Sequence, residues 1–339
     1  MYNPAALYGA GGLALSGSYV GPNKRFQNLG ANLALLGVAA IWGMNFVAMK
    51  HLIGQVGALK MLLLRVFFAA MIFALVLVVR RGLIPRFERA EWRLLILVGL
   101  SGVISNQLFV SIGTSYLSAA VASMLATSTP IFMAILSRFV LKERLTERKI
   151  AGIITAFGGF LIVLLFGSGE ADFSVTNAIG VLITLLAPLS WTISTLLSTR
   201  LMMRYDPTAI TGLSTVIASA VLLPVLVAQL SLLNDMASFG ASEWAAVFVS
   251  SVLSIVVAYT VWYRALRRLE PTQIAVYVYL VPFFGVVFAW LLLDETITPF
   301  VVLGGATILA GVIVTNSSRR PATVPIDGEL PAATPVDSD

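Results

Sequence analysis

The chain has 339 residues, of which 58% are hydrophobic and only 11% charged, and its formal net charge is +6. Soluble domains carry about a quarter charged residues, so this little charge cannot coat a water-facing surface and lipid must act as the main solvent. The absence of cysteine and the single histidine, His51, exclude disulfides, thiolate metal sites, thiol nucleophiles and a paired-histidine zinc motif.

Residues 1–30 form a Gly- and Ala-rich leader. Its first 21 residues contain no Lys or Arg, so the basic start of a secretory signal is missing. The leader is expected to be poorly ordered or to lie on the membrane surface. Gly9, Gly11 and Ala14 match a dinucleotide-type spacing, but no strand precedes them and no acidic partner follows, so the match is accidental.

Ten apolar runs follow, near 31–50, 58–79, 92–114, 117–140, 147–166, 177–199, 207–230, 243–265, 271–293 and 299–316. A membrane span needs about 20 largely apolar residues. In lipid every backbone polar group needs an internal partner, which a helix supplies within one segment. The expected fold is therefore all-α and integral to the membrane, with ten transmembrane helices. Residues 31–166 form a first five-helix repeat and 177–316 a second. The tail, 317–339, is proline-rich, ends acidic and is expected to be disordered.

Cations alternate between successive loops. Lys24 and Arg25 precede the first run; Arg80, Arg81, Arg86 and Arg89 fill the second loop. Lys142, Arg144, Arg148 and Lys149 mark the fourth loop, Arg200 and Arg204 the sixth, Arg267 and Arg268 the eighth, and Arg319 and Arg320 the tail. The third, fifth, seventh and ninth loops have no Lys or Arg; the first loop is the exception, with Lys50 at its edge and Lys60 just beyond. Basic loops stay cytoplasmic, so both termini are expected there, in a multi-pass cell-membrane protein (the inner membrane in a bacterium). Because the cations track the loops, the net positive charge does not point to nucleic acid.

The second half copies the first at an offset of 152 residues. Glu91-Trp92 returns as Glu243-Trp244, Pro130 as Pro282, Phe132 as Phe284, and Leu141-Lys142-Glu143 as Leu293-Asp294-Glu295. Thr146, Gly152, Thr155 and Gly159 return as Thr298, Gly304, Thr307 and Gly311. Trp42 and Trp191 are equivalent at a slightly smaller offset. Five spans per half is an odd number, so the second copy enters the membrane inverted. Inverted repeats suit alternating access around a midplane site.

Ile41-Trp42-Gly43-Met44-Asn45-Phe46 in the first run and Arg65-Val66-Phe67-Phe68-Ala69 in the second carry a resemblance to a known family. It continues from Ser118 through Ala126, Pro130, Glu143 and Gly152 to Gly159. Together, over about 31–316, the chain resembles the EamA-type members of the drug/metabolite transporter superfamily. The resemblance implies a ten-helix transporter, commonly an exporter of amino acids or related metabolites. The second half departs from the pattern: Trp191-Thr192-Ile193-Ser194 stands where the first half has Trp42-Gly43-Met44-Asn45, and Arg65 has no copy. A binding site must therefore be asymmetric.

Trp42, Asn45 and Met49 share one helix face. A carboxamide in lipid is costly, so Asn45 is expected to face the bundle, as a substrate contact or as an interhelical hydrogen bond. Arg65, about 10 Å into its run at 1.5 Å per residue, reads as a carboxylate anchor, a gate residue or a snorkelling structural cation. Asn106, beside Ser105 and Gln107, reads as cavity lining or as packing. Tyr259, Trp262 and Tyr263 form a patch, with Tyr277 in the next run; aromatic walls with polar tips suit apolar or aromatic amino acids. Trp191, Ser194 and Thr127 complete the candidate substrate-binding set. Trp92, Trp244 and Tyr263 also fit an interfacial belt. Pro130 and Pro282 are expected to kink their spans. Lys50 and His51 are expected at an exposed interface, and Glu143 and Glu295 as capping or pairing groups.

These readings describe a secondary transporter of small metabolites, foremost neutral or aromatic amino acids. A channel, a structural membrane subunit, or a carrier of a nucleobase or drug are the alternatives. No clustered acids, nucleophile–base pair or phosphate-binding loop is present, so neither an enzyme nor an ATP-driven pump is expected. No catalytic residue, metal or cofactor is expected. The expected partners are a small-molecule solute and the lipid bilayer, without nucleic acid or an obligate protein partner.

Overall fold

The computed structural model describes residues 24–80, 84–140, 146–166, 175–265, 277–278 and 280–316. Among them every regular element is helical. The elements are α1 (Lys24–Val79), α2 (Arg89–Tyr116), α3 (Ala119–Ala126), α4 (Thr129–Val140), α5 (Glu147–Phe166) and α6 (Val175–Arg204). They continue with α7 (Pro207–Ala228), α8 (Ser231–Ala237), α9 (Ala241–Ala265), α10 (Leu280–Leu293) and α11 (Pro299–Asn316). Residues 1–23 of the leader, the tail and Glu143 lie outside the described residues, and the last leader residues, 24–30, are helical as the start of α1.

Five segments are long and apolar enough to cross a membrane: Asn32–Val79, Arg89–Tyr116, Ala178–Ser198, Pro207–Ala228 and Ala241–Ala265. Shorter apolar helices cover Ile150–Gly159, Leu280–Leu293 and Pro299–Gly311. The first segment joins two of the expected runs. Its turning point is Gly57, with φ 80° and ψ 165°, a backbone conformation that glycine adopts without a Cβ penalty.

The expected fourth span is divided, but upstream of its proline. α3 ends at Ala126, and Thr127 has φ −77° and ψ 0°. Pro130 then stands in the first turn of α4, where its missing N–H leaves no intrahelical bond unmade. The break thus falls where the proline ring would have crowded the preceding turn.

α2 and α9 share a construction that sequence patterning did not reveal. Each begins with a glutamate that reaches back to a main-chain amide: Glu91 accepts from Glu88 N at 2.9 Å, and Glu243 from Gly240 N at 2.8 Å. Each then passes through a π-helical segment, Gly99–Ser105 in α2 and Phe248–Val257 in α9. The two segments end at positions related by the repeat offset.

α5 and α11 cross through paired glycines. A Cβ on Gly159 would lie 2.7 Å from Gly304 O and 2.7 Å from Ile308 N, and one on Gly311 would strike Ala156 N and Gly152 O. Gly152 and Gly304 are repeat equivalents, as are Gly159 and Gly311, so the crossing is the same seen from either helix. Outside, Met71, Leu75, Ile154, Leu182 and Trp290 remain mostly exposed. An apolar exterior of this extent suits hydrocarbon.

Candidate functional site

The first half of α1 carries Trp42, Asn45 and Met49, and Trp42 meets α9. Trp42 Nε1 donates to Ser254 O at 3.3 Å. From the second half of α1, the buried Arg65 reaches the same place. Its Nη2 donates to Asn45 Oδ1 at 3.1 Å, its Nε to Ser250 O at 3.3 Å, and its Nη1 to Met49 Sδ at 2.9 Å. Asn45 Nδ2 also meets Met49 Sδ, at 3.3 Å. Ser250 and Ser254 both belong to the π-helical segment of α9. Such segments recur at functional sites, and here the segment's main chain supplies acceptors for both Arg65 and Trp42.

Arg65 is only 2% exposed. Among the described residues no carboxylate pairs with it. A buried guanidinium is costly without an opposite charge, and neutral acceptors compensate it only in part. Its planar fork matches a carboxylate in bidentate geometry. Here every acceptor of the guanidinium is neutral: an amide oxygen, a main-chain carbonyl and a thioether sulfur.

Aromatic rings close on the same corner. Trp42 lies 5.8 Å from Tyr259 and 5.2 Å from Trp262, centroid to centroid. Trp191 of α6 lies 4.9 Å from Tyr259. Tyr277 packs with Trp262 over Leu35 and Ala265. Tyr263 is buried 6.4 Å from the Tyr259 ring, whereas Trp92 and Trp244 are exposed.

The other expected site residues hold helix contacts. Asn106 Nδ2 donates to Ala187 O at 2.9 Å, tying α2 to α6. Ser194 donates to Val98 O at 3.4 Å beside Gly102. Thr127 donates to Met124 O of its own turn at 2.6 Å. Sequence reasoning passed over Gln107 as a specific contact; its Nε2 donates to Tyr259 O–H at 3.4 Å. The repeat offset was the available signal, because Gln107 is the counterpart of Tyr259. The main-chain acceptors at Ser250 and Ser254 left no sequence signal.

Polar ties stand at both ends of the helices. At one end Glu91 accepts from Arg204 Nη1 and from the Tyr205 hydroxyl, each at 2.8 Å. Burial, and then the bond to Glu91, hold the Tyr205 phenol above its ordinary range, which keeps it a donor. At the other end His51 meets Glu243 at 3.1 Å and Lys60 meets Asp235 at 2.6 Å. Lys50 donates to Thr114 O at 3.1 Å and Leu117 O at 2.6 Å. Glu295 accepts from the first amides of α3, Ala119 N at 2.7 Å and Ala120 N at 3.1 Å. Lys50 and His51 are therefore partnered and partly buried, and Glu295 is a cap. No cluster of His, Asp or Glu suited to a metal occurs among the described residues.

Comparisons with known proteins bear on the family and the fold. The EamA-like transporter family matches twice, over residues 29–165 and 178–317. An uncharacterized transporter of Archaeoglobus fulgidus is 28% identical over 87% of this chain and 100% of its own length. A protein of Escherichia coli K12 named "Probable amino-acid metabolite efflux pump" is 26% identical over 83% of this chain and 93% of its own. A solved crystal structure superposes with a TM-score of 0.58 at 18% identity, over 84% of this chain and 96% of that one, and so shares the fold. With a family match over each half and an apolar helical bundle, the chain is a membrane protein that belongs to the EamA-like transporter family.

Proposed function

We propose that this transporter is a secondary carrier exporting neutral amino acids with apolar or aromatic side chains, by alternating access between two inverted five-helix halves. Ten spans and cytoplasmic termini complete the reading. The observation that carries it is Arg65: a buried guanidinium without a carboxylate partner among the described residues, bonded to Asn45 and bordered by Trp42 and Tyr259. In this reading a solute carboxylate binds Arg65. Its ammonium group meets amide and main-chain oxygens, and its side chain lies against the rings. The absence of a buried acidic counter-charge among the described residues disfavours strongly cationic solutes. The name of the Escherichia coli relative supports amino-acid metabolites as the solute class.

Counterflow into liposomes holding the purified protein tests this reading. Threonine, methionine, leucine and phenylalanine are compared with lysine, a hexose and a nucleobase. Saturable counterflow of the neutral amino acids is expected. Counterflow of only the last three overturns the solute assignment, and permeation without counterflow overturns the carrier, because a channel does not exchange.

A further inference from the structure

Buried serine and threonine hydroxyls in helices commonly donate to a main-chain carbonyl three or four residues earlier. Ser123, Thr127, Thr184, Thr192, Thr215 and Ser219 all do so. Four buried hydroxyls among the described residues lack any partner: Ser111 and Thr114 on α2, and Thr208 and Thr211 on α7. Taking a hydroxyl out of water without a hydrogen bond costs free energy. These four fall into two pairs, each spaced three residues apart and so side by side on one helix face.

The pairs stand toward opposite ends of the bundle. Thr208 opens α7 just after Tyr205, which bonds Glu91 at the start of α2. Thr114 lies near the other end of α2, about 35 Å from Glu91 at 1.5 Å per residue, where its carbonyl receives Lys50. Both helices also reach the aromatic cluster. Gln107, one turn before Ser111, bonds Tyr259. Val216, beyond Thr211 on α7, packs with Tyr259 against Phe73 and Ile255.

We propose that the two hydroxyl pairs line two half-passages leading from the aromatic site to opposite membrane faces. Each pair gains its hydrogen-bond partners, from water or from the polar head of the solute, when its own half-passage opens. The inference rests on the carrier reading above. All four side chains are buried in this structure, so it corresponds to a state with both half-passages closed. The unpartnered hydroxyls make that closed state less stable than a fully satisfied packing, which favours opening toward either side.

The chain contains no cysteine, so an introduced thiol is the only one present. Ser111→Cys, Thr114→Cys, Thr208→Cys and Thr211→Cys are made singly in the full chain, reconstituted, and checked for counterflow. A charged, impermeant thiosulfonate is then added from one side at a time. The α2 pair is expected to react from one side only and the α7 pair only from the other. A solute gradient that speeds one pair several-fold should slow the other. Ser123→Cys, equally buried but replacing a partnered hydroxyl, should stay unreactive. As a second measurement, Thr114→Val and Thr208→Val remove an unpartnered hydroxyl at nearly constant volume. They are expected to raise the melting temperature while slowing counterflow.

Absence of thiol reaction in protein that performs counterflow overturns the inference. So does reaction of all four positions from one side, or unchanged counterflow in both valine variants. Failure of the unsubstituted protein to perform counterflow would instead overturn the carrier reading, so the two failures are distinguishable.

Discussion

Gln107 and Tyr259 stand at equivalent positions of the repeat, 152 residues apart, and the Gln107 amide donates to the Tyr259 hydroxyl across 3.4 Å. Equivalent residues of two halves related by a two-fold meet only near the axis. On the proposed inverted repeat, this pair would lie beside its axis. A double-mutant cycle of Gln107→Leu and Tyr259→Phe, followed by thermal unfolding in detergent, should give a coupling of about 0.5–1 kcal/mol. Strict additivity would show that the bond is not made in solution.

Glu91 and Glu243 are also repeat equivalents, and each ties the start of its helix to a chain segment of the other half: Glu91 to Arg204 and Tyr205, Glu243 to His51. Arg204 is largely exposed, and exposed ion pairs are worth about 0–1 kcal/mol. On the proposed alternating access, each tie biases which end opens. Glu243→Gln is expected to raise thiol reactivity at Thr114→Cys by up to about fivefold, and Glu91→Gln to do the same at Thr208→Cys. Equal effects at both ends would mean that the ties serve stability alone.

The proposed cytoplasmic termini rest on the loop cations. Single Asn3→Cys and Ser338→Cys variants should resist an impermeant thiol reagent in intact cells and react after lysis. Labelling of both in intact cells would invert the proposed topology.

Helix positions were legible because lipid demands long apolar runs, and the duplication was legible because Glu91, Pro130 and Gly159 recur at one offset. That Arg65 has no copy was legible too. Other features depend on geometry that residue identity does not encode. The π-helical turns of α2 and α9 look like ordinary apolar helix in sequence, yet one of them supplies the acceptors for Arg65 and Trp42. Asn106 and Gln107 are adjacent polar residues, but a helix turns about 100° between them. One therefore binds Ala187 O and the other Tyr259. The break before Pro130 fell upstream because a proline disturbs the turn before it more than its own.

Gly158 and Gly159 are neighbours with opposite surroundings. A Cβ on Gly158 meets nothing within 4 Å, whereas one on Gly159 would lie 2.7 Å from Gly304 O. Gly158→Ala should be neutral, or stabilising by up to about 1 kcal/mol, from helix propensity. Gly159→Ala should force α5 and α11 apart and cost about 1–3 kcal/mol. Melting temperature and membrane abundance read the difference, and equal values for the two variants would show that the crossing is loose.

Asn45 and Arg65 provide the sharpest test of solute recognition. Arg65→Gln removes a charged donor whose bond to a carboxylate is worth about 1.5–3 kcal/mol, so apparent affinity should fall about 10- to 100-fold. Asn45→Ala deprives the guanidinium of an acceptor 3.1 Å away and should lower transport without lowering membrane abundance. Normal transport by that variant would make Asn45 a packing residue. Asn45→Asp separates binding from packing. It places a carboxylate within reach of Arg65, neutralises the buried charge and competes with the solute carboxylate for the same fork. The variant should therefore melt higher than the parent protein while losing amino-acid counterflow. A purely structural Arg65 would tolerate the internal ion pair, so Asn45→Asp with undiminished counterflow would exclude Arg65 as the carboxylate anchor.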